Sequence, residues 1–538
     1  MLFNSPEFLF LFLPITLWVY HRLCLSDNAA GARTWLVFAS LGFYGWWEPV
    51  YLILILASIA VNYALALIME RLPDDKKTLR WWWLAFGVIA NLSAIAWFKY
   101  SGFLFSTSNQ LFGSEFHIRT IILPLAISFF TFQQIAYLVE VYRRSHGAGE
   151  PSKYLLFVTF FPQLIAGPIV NYRDMAPQFD GLKYGLIPSN LLLGLMVFSI
   201  GLFKKVIIAD GVAPYSDTVF ELAAAGVELS LLEAWAGALA YSIQLYFDFS
   251  GYSDMAIGLG CMLGIRLPRN FESPYKASSI IDFWRRWHIS LSTFLRDYLY
   301  VPLGGSQRGP TRTLVNLMIV MVLGGLWHGA GWTFIVWGAL HGFYLLVNHL
   351  WRRVRPSDLA TKDRAGTLLV RLSTQIKTLA YRLFSHVLTL TAVVVAWVLF
   401  RATTLAEASQ VLRGMFGFNG VSLPASWQYR QPALVDTLTS FGISFKELPT
   451  LGPLFTPLAD TLRILGKGNA LDNAGTLTAL ISLSIPIVAV LVLPNSGRLL
   501  RAKLSSRVIW MLAPLCAVLG AYGAVGGGGT SQFLYFNF

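Results

Sequence analysis

The 538 residues include 28 acidic and 41 basic side chains, so charged groups make up 13% of the chain, where a soluble domain holds about 25%. Hydrophobic residues reach 55%, aromatics 15% and the mean hydropathy is +0.57, a balance that excludes a water-soluble globule, a disordered chain and a disulfide-stapled secreted scaffold. An all-α polytopic membrane protein remains, and its net charge of +13 reflects topology rather than nucleic-acid binding, because the basic residues collect in short loops between apolar spans.

An apolar run of about 20 residues crosses a bilayer. On that criterion membrane helices are predicted at 7–25, 34–48, 50–70, 81–106, 119–142, 154–170, 187–209, 231–262, 313–330, 332–351, 385–402, 476–494 and 507–527. The first lacks a basic leader and a small-residue cleavage site and is read as a retained helix. Lys and Arg collect in the loops 71–80, 143–153, 352–382 and 498–507, which predicts that these are cytoplasmic, that the N-terminus lies outside (periplasmic in a bacterial inner membrane), and that 403–475 is an extracytoplasmic loop region. Five apolar segments lie between the loops 143–153 and 352–382, and an odd number cannot return the chain to its starting side. At least one is therefore expected to be broken. The expected place is Tyr246-Phe-Asp248-Phe-Ser250-Gly-Tyr252-Ser253-Asp254, where polar groups interrupt apolar text; non-helical backbone at membrane depth needs protein or water to satisfy it. The segment 277–300 reads as an amphipathic or re-entrant helix. Cys24, Cys261 and Cys516 are too scattered for a metal or redox pair.

Ionisable groups within membrane segments are costly, so each is a candidate for function. His328, in Gly324-Gly325-Leu326-Trp327-His328-Gly329, has an ordinary pKa suited to proton transfer at neutral pH; the competing reading is a hydrogen-bonded core histidine. His288, in Asp282-Phe-Trp284-Arg285-Arg286-Trp287-His288, is either a second chemical group or a residue reaching for lipid headgroups. His341 follows His328 by 13 positions. On one continuous helix that places it roughly 220° around and about 20 Å away, which predicts a structural role. No H-E-x-x-H, ligand-spaced His/Cys pair, G-x-S-x-G, P-loop or dinucleotide fingerprint occurs, so neither a metal nor a tightly bound cofactor is expected. Asp248 and Asp254 suit either an ion-coupled transporter or structural roles, with Asp248 capping a helix or pairing with Arg266 or Arg269.

The runs "QLYFDFSGYSDMAIGLG", "FWRRWHISLSTFLRDYLYVPLGG" and "GGLWHGAGWTFIVWGALHG", with "FFPQLIAGPIV", "FKKVIIAD" and the terminal "FLYFNF", resemble the membrane-bound O-acyltransferases, in the bacterial branch that contains the alginate O-acetyltransferase membrane subunit. The resemblance covers roughly residues 1–405 and the last segment. It implies a single membrane domain over 1–538, with 11 to 13 helices around a central funnel and a catalytic core segment at 231–351. It places the family's W-H-G histidine at His328 and its W-x-R-W-H histidine at His288. Trp327, Trp284, Arg285, Arg286, Asp248, Tyr252, Ser253 and Asp254 are then candidates for the substrate or donor tunnel. It further implies an acyl thioester such as acetyl-coenzyme A as donor, an exported polysaccharide, most simply alginate, as acceptor, and a periplasmic partner of the SGNH-hydrolase type. Cellulose or another surface polymer is the alternative acceptor. The readings from a different class are a transporter or flippase built on Asp248 and Asp254, and a non-catalytic scaffold of an export complex.

Overall fold

The computed structural model describes residues 1–114, 121–184, 187–354, 368–424, 432–446, 484–488, 490–491, 495–496 and 533–534. The expected span 507–527, Cys516 and all of 476–494 except 484–488 and 490–491 lie outside these. The described chain is almost entirely helical. Its only strands are Ser422–Pro424 and Ser444–Lys446, paired in parallel. Seven helices among the described residues are long and apolar enough to cross a membrane: Phe8–Leu25, Val50–Arg71, Asp74–Phe112, Pro188–Ala224, Pro310–His328, Trp332–Val354 and Gln375–Arg401. The chain packs as two units, one of Met1–Ile207, Asp248–Asn270 and Ser496–Phe538, the other of Ile208–Phe247 and Phe271–Asn495.

In the first unit, Val50–Arg71, Lys77–Ile95 and Ile127–Tyr142 pack on one another. Lipid tails are as apolar as leucine, so side-chain hydrogen bonds and close packing hold such helices together. Asn62 and Asn91 exchange amide hydrogen bonds of 3.3 and 2.7 Å, the Gln134 amide donates to Ser58 Oγ at 3.1 Å, and the Tyr154 hydroxyl donates to Gln134 at 3.3 Å. The expected span 154–170 is not one helix. Pro151–Thr159 ends at Phe160, whose ψ of 104° leaves the helical region, and Pro162 cannot supply the amide that would carry the ladder onward. Among the described residues four long helices then remain between the two basic loops, of which Pro188–Ala224, Pro310–His328 and Trp332–Val354 are apolar enough to cross a membrane.

The segment 246–254 is where the expected break fails, because the helix Leu231–Met262 runs through it without interruption. Two features make that possible. Gly194 and Gly201 on Pro188–Phe203 face Gly258 and Gly251, and a Cβ at Gly201 would stand 2.5 Å from the Gly251 carbonyl oxygen. The backbones therefore touch. Next to this crossing a π-helical turn, Lys204–Ala209, presents two lysines to the two carboxylates. Lys205 Nζ lies 2.7 Å from Asp248 and Lys204 Nζ 2.6 Å from Asp254. Ser496 Oγ accepts from Lys204 at 3.0 Å and donates to Asp254 at 2.7 Å. The Leu534 amide donates to Asp248 at 3.0 Å, and Phe533 packs its ring 4.9 Å from Lys205 Nζ and 4.8 Å from the Tyr252 ring. Asp248 thus lies deep inside a helix rather than capping one, and its partner Lys205 was not among those anticipated from sequence.

At the end of Ile127–Tyr142, the buried Glu140 carboxylate meets His146 Nε2 at 2.9 Å, and the imidazole stacks on Tyr137 at 5.7 Å. Burial pulls the His146 pKa down, but the Glu140 hydrogen bond, the Gly147 carbonyl and the Glu140 charge outweigh it, so the ring titrates above its ordinary 6.5. A pKa raised on folding contributes stability that is complete below the unfolded value and lost as pH rises through the folded one. The melting temperature of the wild type in detergent should therefore exceed that of His146→Gln at about pH 6, where a charge-assisted bond of roughly 1–3 kcal/mol is intact, and the gap should shrink at higher pH. Parallel pH profiles for the two proteins would refute this.

Candidate active site

The second unit builds its site from three segments. Ile280–Arg286 is started by Ser279, whose hydroxyl accepts from the Asp282 amide at 3.2 Å. It stops at Trp287, where the backbone becomes extended, and His288 follows in the left-handed region with φ 43° and ψ 56° before Ile289–Leu295 begins. The expected helix 277–300 is therefore two short helices bent at a histidine. A non-glycine residue held there costs about 1–3 kcal/mol, and such residues cluster at functional sites. The bend turns His288 fully inward, with 0% of its surface exposed.

The second segment is the hairpin of Pro310–His328 and Trp332–Val354. Glycines set its closeness: a Cβ at Gly338 would meet the Met321 carbonyl, and one at Gly325 the Phe334 carbonyl. The turn at 329–331 overturns the assumption of one continuous helix from His328 to His341. With the chain folded back, both histidines flank the same indole. The Trp337 ring centroid is 5.2 Å from His328 and 4.8 Å from His341. The third segment, Leu368–Arg401, supplies Trp397, 5.8 Å from Trp337, and Phe400, 5.1 Å from His328.

His328 is 3% exposed and walled by the rings of Trp327, Trp337 and Phe400. Trp327 lies between the two motif histidines, with its ring centroid 4.9 Å from His328 and 6.3 Å from His288. Trp287, next in sequence to His288, stacks on Phe283 at 5.6 Å and meets Trp397 at 4.9 Å. Of the other sequence candidates in this unit, Trp284 contacts Trp337 and His341 at 6.0 and 5.2 Å. Arg286 donates to Asp282 at 2.9 Å, while Arg285 is exposed. Asp248, Tyr252, Ser253 and Asp254 belong to the first unit. There Tyr252 stacks on Phe3 at 4.9 Å and Ser253 Oγ accepts from Asn270 at 3.4 Å. Sequence reasoning missed Trp337, Trp397 and Phe400. The i, i+4 spacing of Trp337 and His341 could have put that pair on one helix face, whereas nothing local signals Trp397 or Phe400. Among the described residues no three His, Cys, Asp or Glu side chains are grouped to hold a metal.

Comparison with known proteins matches residues 149–371 to the membrane-bound O-acyltransferase family. The peptidoglycan O-acetyltransferase of Helicobacter pylori is 46% identical over 451 residues, covering 79% of this chain and 81% of that protein. The chain belongs to the membrane-bound O-acyltransferase family. The probable alginate O-acetylase of Azotobacter vinelandii is 42% identical over 428 residues, 79% of both chains. The teichoic acid D-alanyltransferase of Bacillus subtilis is 30% identical over 40% of this chain and 56% of that protein. The protein is thus a multi-pass membrane-bound O-acyltransferase, and His288 and His328 of this O-acyltransferase both lie within the matched residues.

Proposed function

We propose that the protein O-acetylates a polysaccharide by accepting an acetyl group from a cytoplasmic thioester and delivering it across the inner membrane, with its N-terminus on the periplasmic side. The observation that carries this reading is the buried His328, in a ring cage that shares Trp327 with His288. Acyl transfer needs a base at the attacking oxygen and exclusion of the water that would hydrolyse the donor. In the proposed step an acceptor hydroxyl oxygen bonds to the acetyl carbon, the carbon–sulfur bond breaks, and the hydroxyl proton passes to His328 and then to the departing thiolate. His288 orients the donor, and Arg285 with the cytoplasmic basic loops attracts the phosphates of acetyl-coenzyme A.

The acceptor is an exported polysaccharide, most simply alginate, reached through a periplasmic partner of the SGNH-hydrolase type; the alginate O-acetylases at 40–42% identity support it. Peptidoglycan is the second reading, favoured by the 46% identity to the Helicobacter pylori protein. The test is acetyl-ester content in a deletion strain and its complemented parent, measured separately on exported polymer and on isolated peptidoglycan. Loss from the exported polymer alone supports the first reading and loss from peptidoglycan alone the second. Unchanged esters in every surface polymer would overturn both.

A further inference from the structure

His341 is fully buried, and neither of its ring nitrogens has a hydrogen-bond partner among the described residues. The two indoles edge-on to it, Trp337 and Trp284, likewise bury Nε1 groups that have no such partner. Buried polar groups in native proteins are nearly always paired, and a cluster of exceptions points to a ligand or a catalytic use. A neutral imidazole offers one N–H and one acceptor, and each indole one N–H and no acceptor. The three groups supply three donors, there is no carboxylate among the rings that form the cluster, and Phe283, Tyr344 and Trp397 wall it, Trp397 with a buried Nε1 of its own. Its chemistry suits a small group that accepts hydrogen bonds and carries an apolar end. Trp337 joins it to the cage, since the same indole lies edge-on to His328.

Resting on the reading of His328 given above, we propose that Trp337, Trp284 and His341 form a polar subsite that holds the acyl carbonyl oxygen of the donor and stabilises its charge during transfer. As the acceptor oxygen bonds to the carbonyl carbon, the carbonyl electrons move onto oxygen, where preorganised N–H groups are worth most. They return as the carbon–sulfur bond breaks. Losing one such donor typically lowers kcat by about 10²–10³-fold.

The test uses the full chain in lipid nanodiscs with acetyl-coenzyme A and a hydroxyl acceptor. Trp337→Phe keeps an aromatic ring but removes the N–H together with the five-membered ring, and benzothienylalanine at position 337 keeps the bicycle and replaces only the N–H by sulfur; in both, kcat should fall by roughly 10²-fold with KM within about threefold of the wild type. His341→Leu should behave alike, and His341→Gln, which keeps a donor, should recover part of the rate. In parallel, the infrared carbonyl band of carbon-13 acetonyl-coenzyme A, a ketone analogue of the donor, should shift to lower frequency on the wild type and return toward its solution position on His341→Leu. If Trp337→Phe and His341→Leu keep kcat within about threefold while His328→Ala is inactive, the subsite is wrong and the His328 reading survives. If His328→Ala is itself fully active, the reading beneath the subsite fails. Should either variant not fold, a carbonyl band at its solution frequency on the wild type overturns the proposal by itself.

Discussion

Alanine in place of His328 is expected to lower acetyl transfer by roughly 10²–10⁴-fold, the range that a positioned proton acceptor supplies, while the protein remains in the membrane at wild-type level. The expectation follows from where the ring sits. It closes the Pro310–His328 helix at the turn of a glycine-packed hairpin, where its neighbours Trp327, Trp337 and Phe400 also contact other rings. Those contacts survive when the imidazole is removed, so the hairpin should persist even though a small cavity opens. Acetyl-ester content of the complemented polymer, normalised to membrane abundance, checks the prediction. Full acetylation by His328→Ala would make the histidine a packing residue. A loss of acetylation that only tracks a loss of protein would equally refute the expectation of a folded, inactive enzyme.

Removing Lys205 is expected to have the largest effect on stability. Lys205 and Asp248 are each 2% exposed at the side chain and lie 2.7 Å apart, with Lys205 on a helix long and apolar enough to cross a membrane. Breaking such a pair by deleting one partner leaves an uncompensated charge and costs about 3–5 kcal/mol, whereas neutralising both is often close to harmless. Lys205→Met should therefore depress the folded yield and the melting temperature in detergent. Lys205→Met combined with Asp248→Asn should recover most of the loss, because asparagine keeps an oxygen for the Leu534 amide without the charge. A double variant as unstable as the single one would show that the ion pair is not the reason. Because lysines hold both carboxylates, an ion-coupled transporter loses the polar helix break that first suggested it.

Much of the fold was legible because apolar length is a strong signal. The helix Leu231–Met262 was expected at 231–262, Val50–Arg71 at 50–70, and the two hairpin helices at 313–330 and 332–351. The errors share a cause. Polarity at Asp248 and Asp254 reads as a broken helix because the compensating lysines, 43 and 50 residues earlier, carry no local mark of their destination. A straight helix would hold His341 about 20 Å from His328, but the chain turns at 329–331 and brings both to Trp337. The motif histidines were visible from spacing and resemblance together, but the cage was not, since Trp397 and Phe400 lie on a different helix.

The residues matched to the family end at 371, short of Trp397 and Phe400. A chain emerging from the ribosome therefore acquires both motif histidines well before it acquires Trp397 and Phe400, the last rings of the cage. Until residue 400 takes its place, His328 lacks one of the three rings that wall it, so the cage closes only late in synthesis. A fragment cut at residue 371 would keep both motif histidines and lose Trp397 and Phe400, the rings that pack on Trp287 and His328 from another helix.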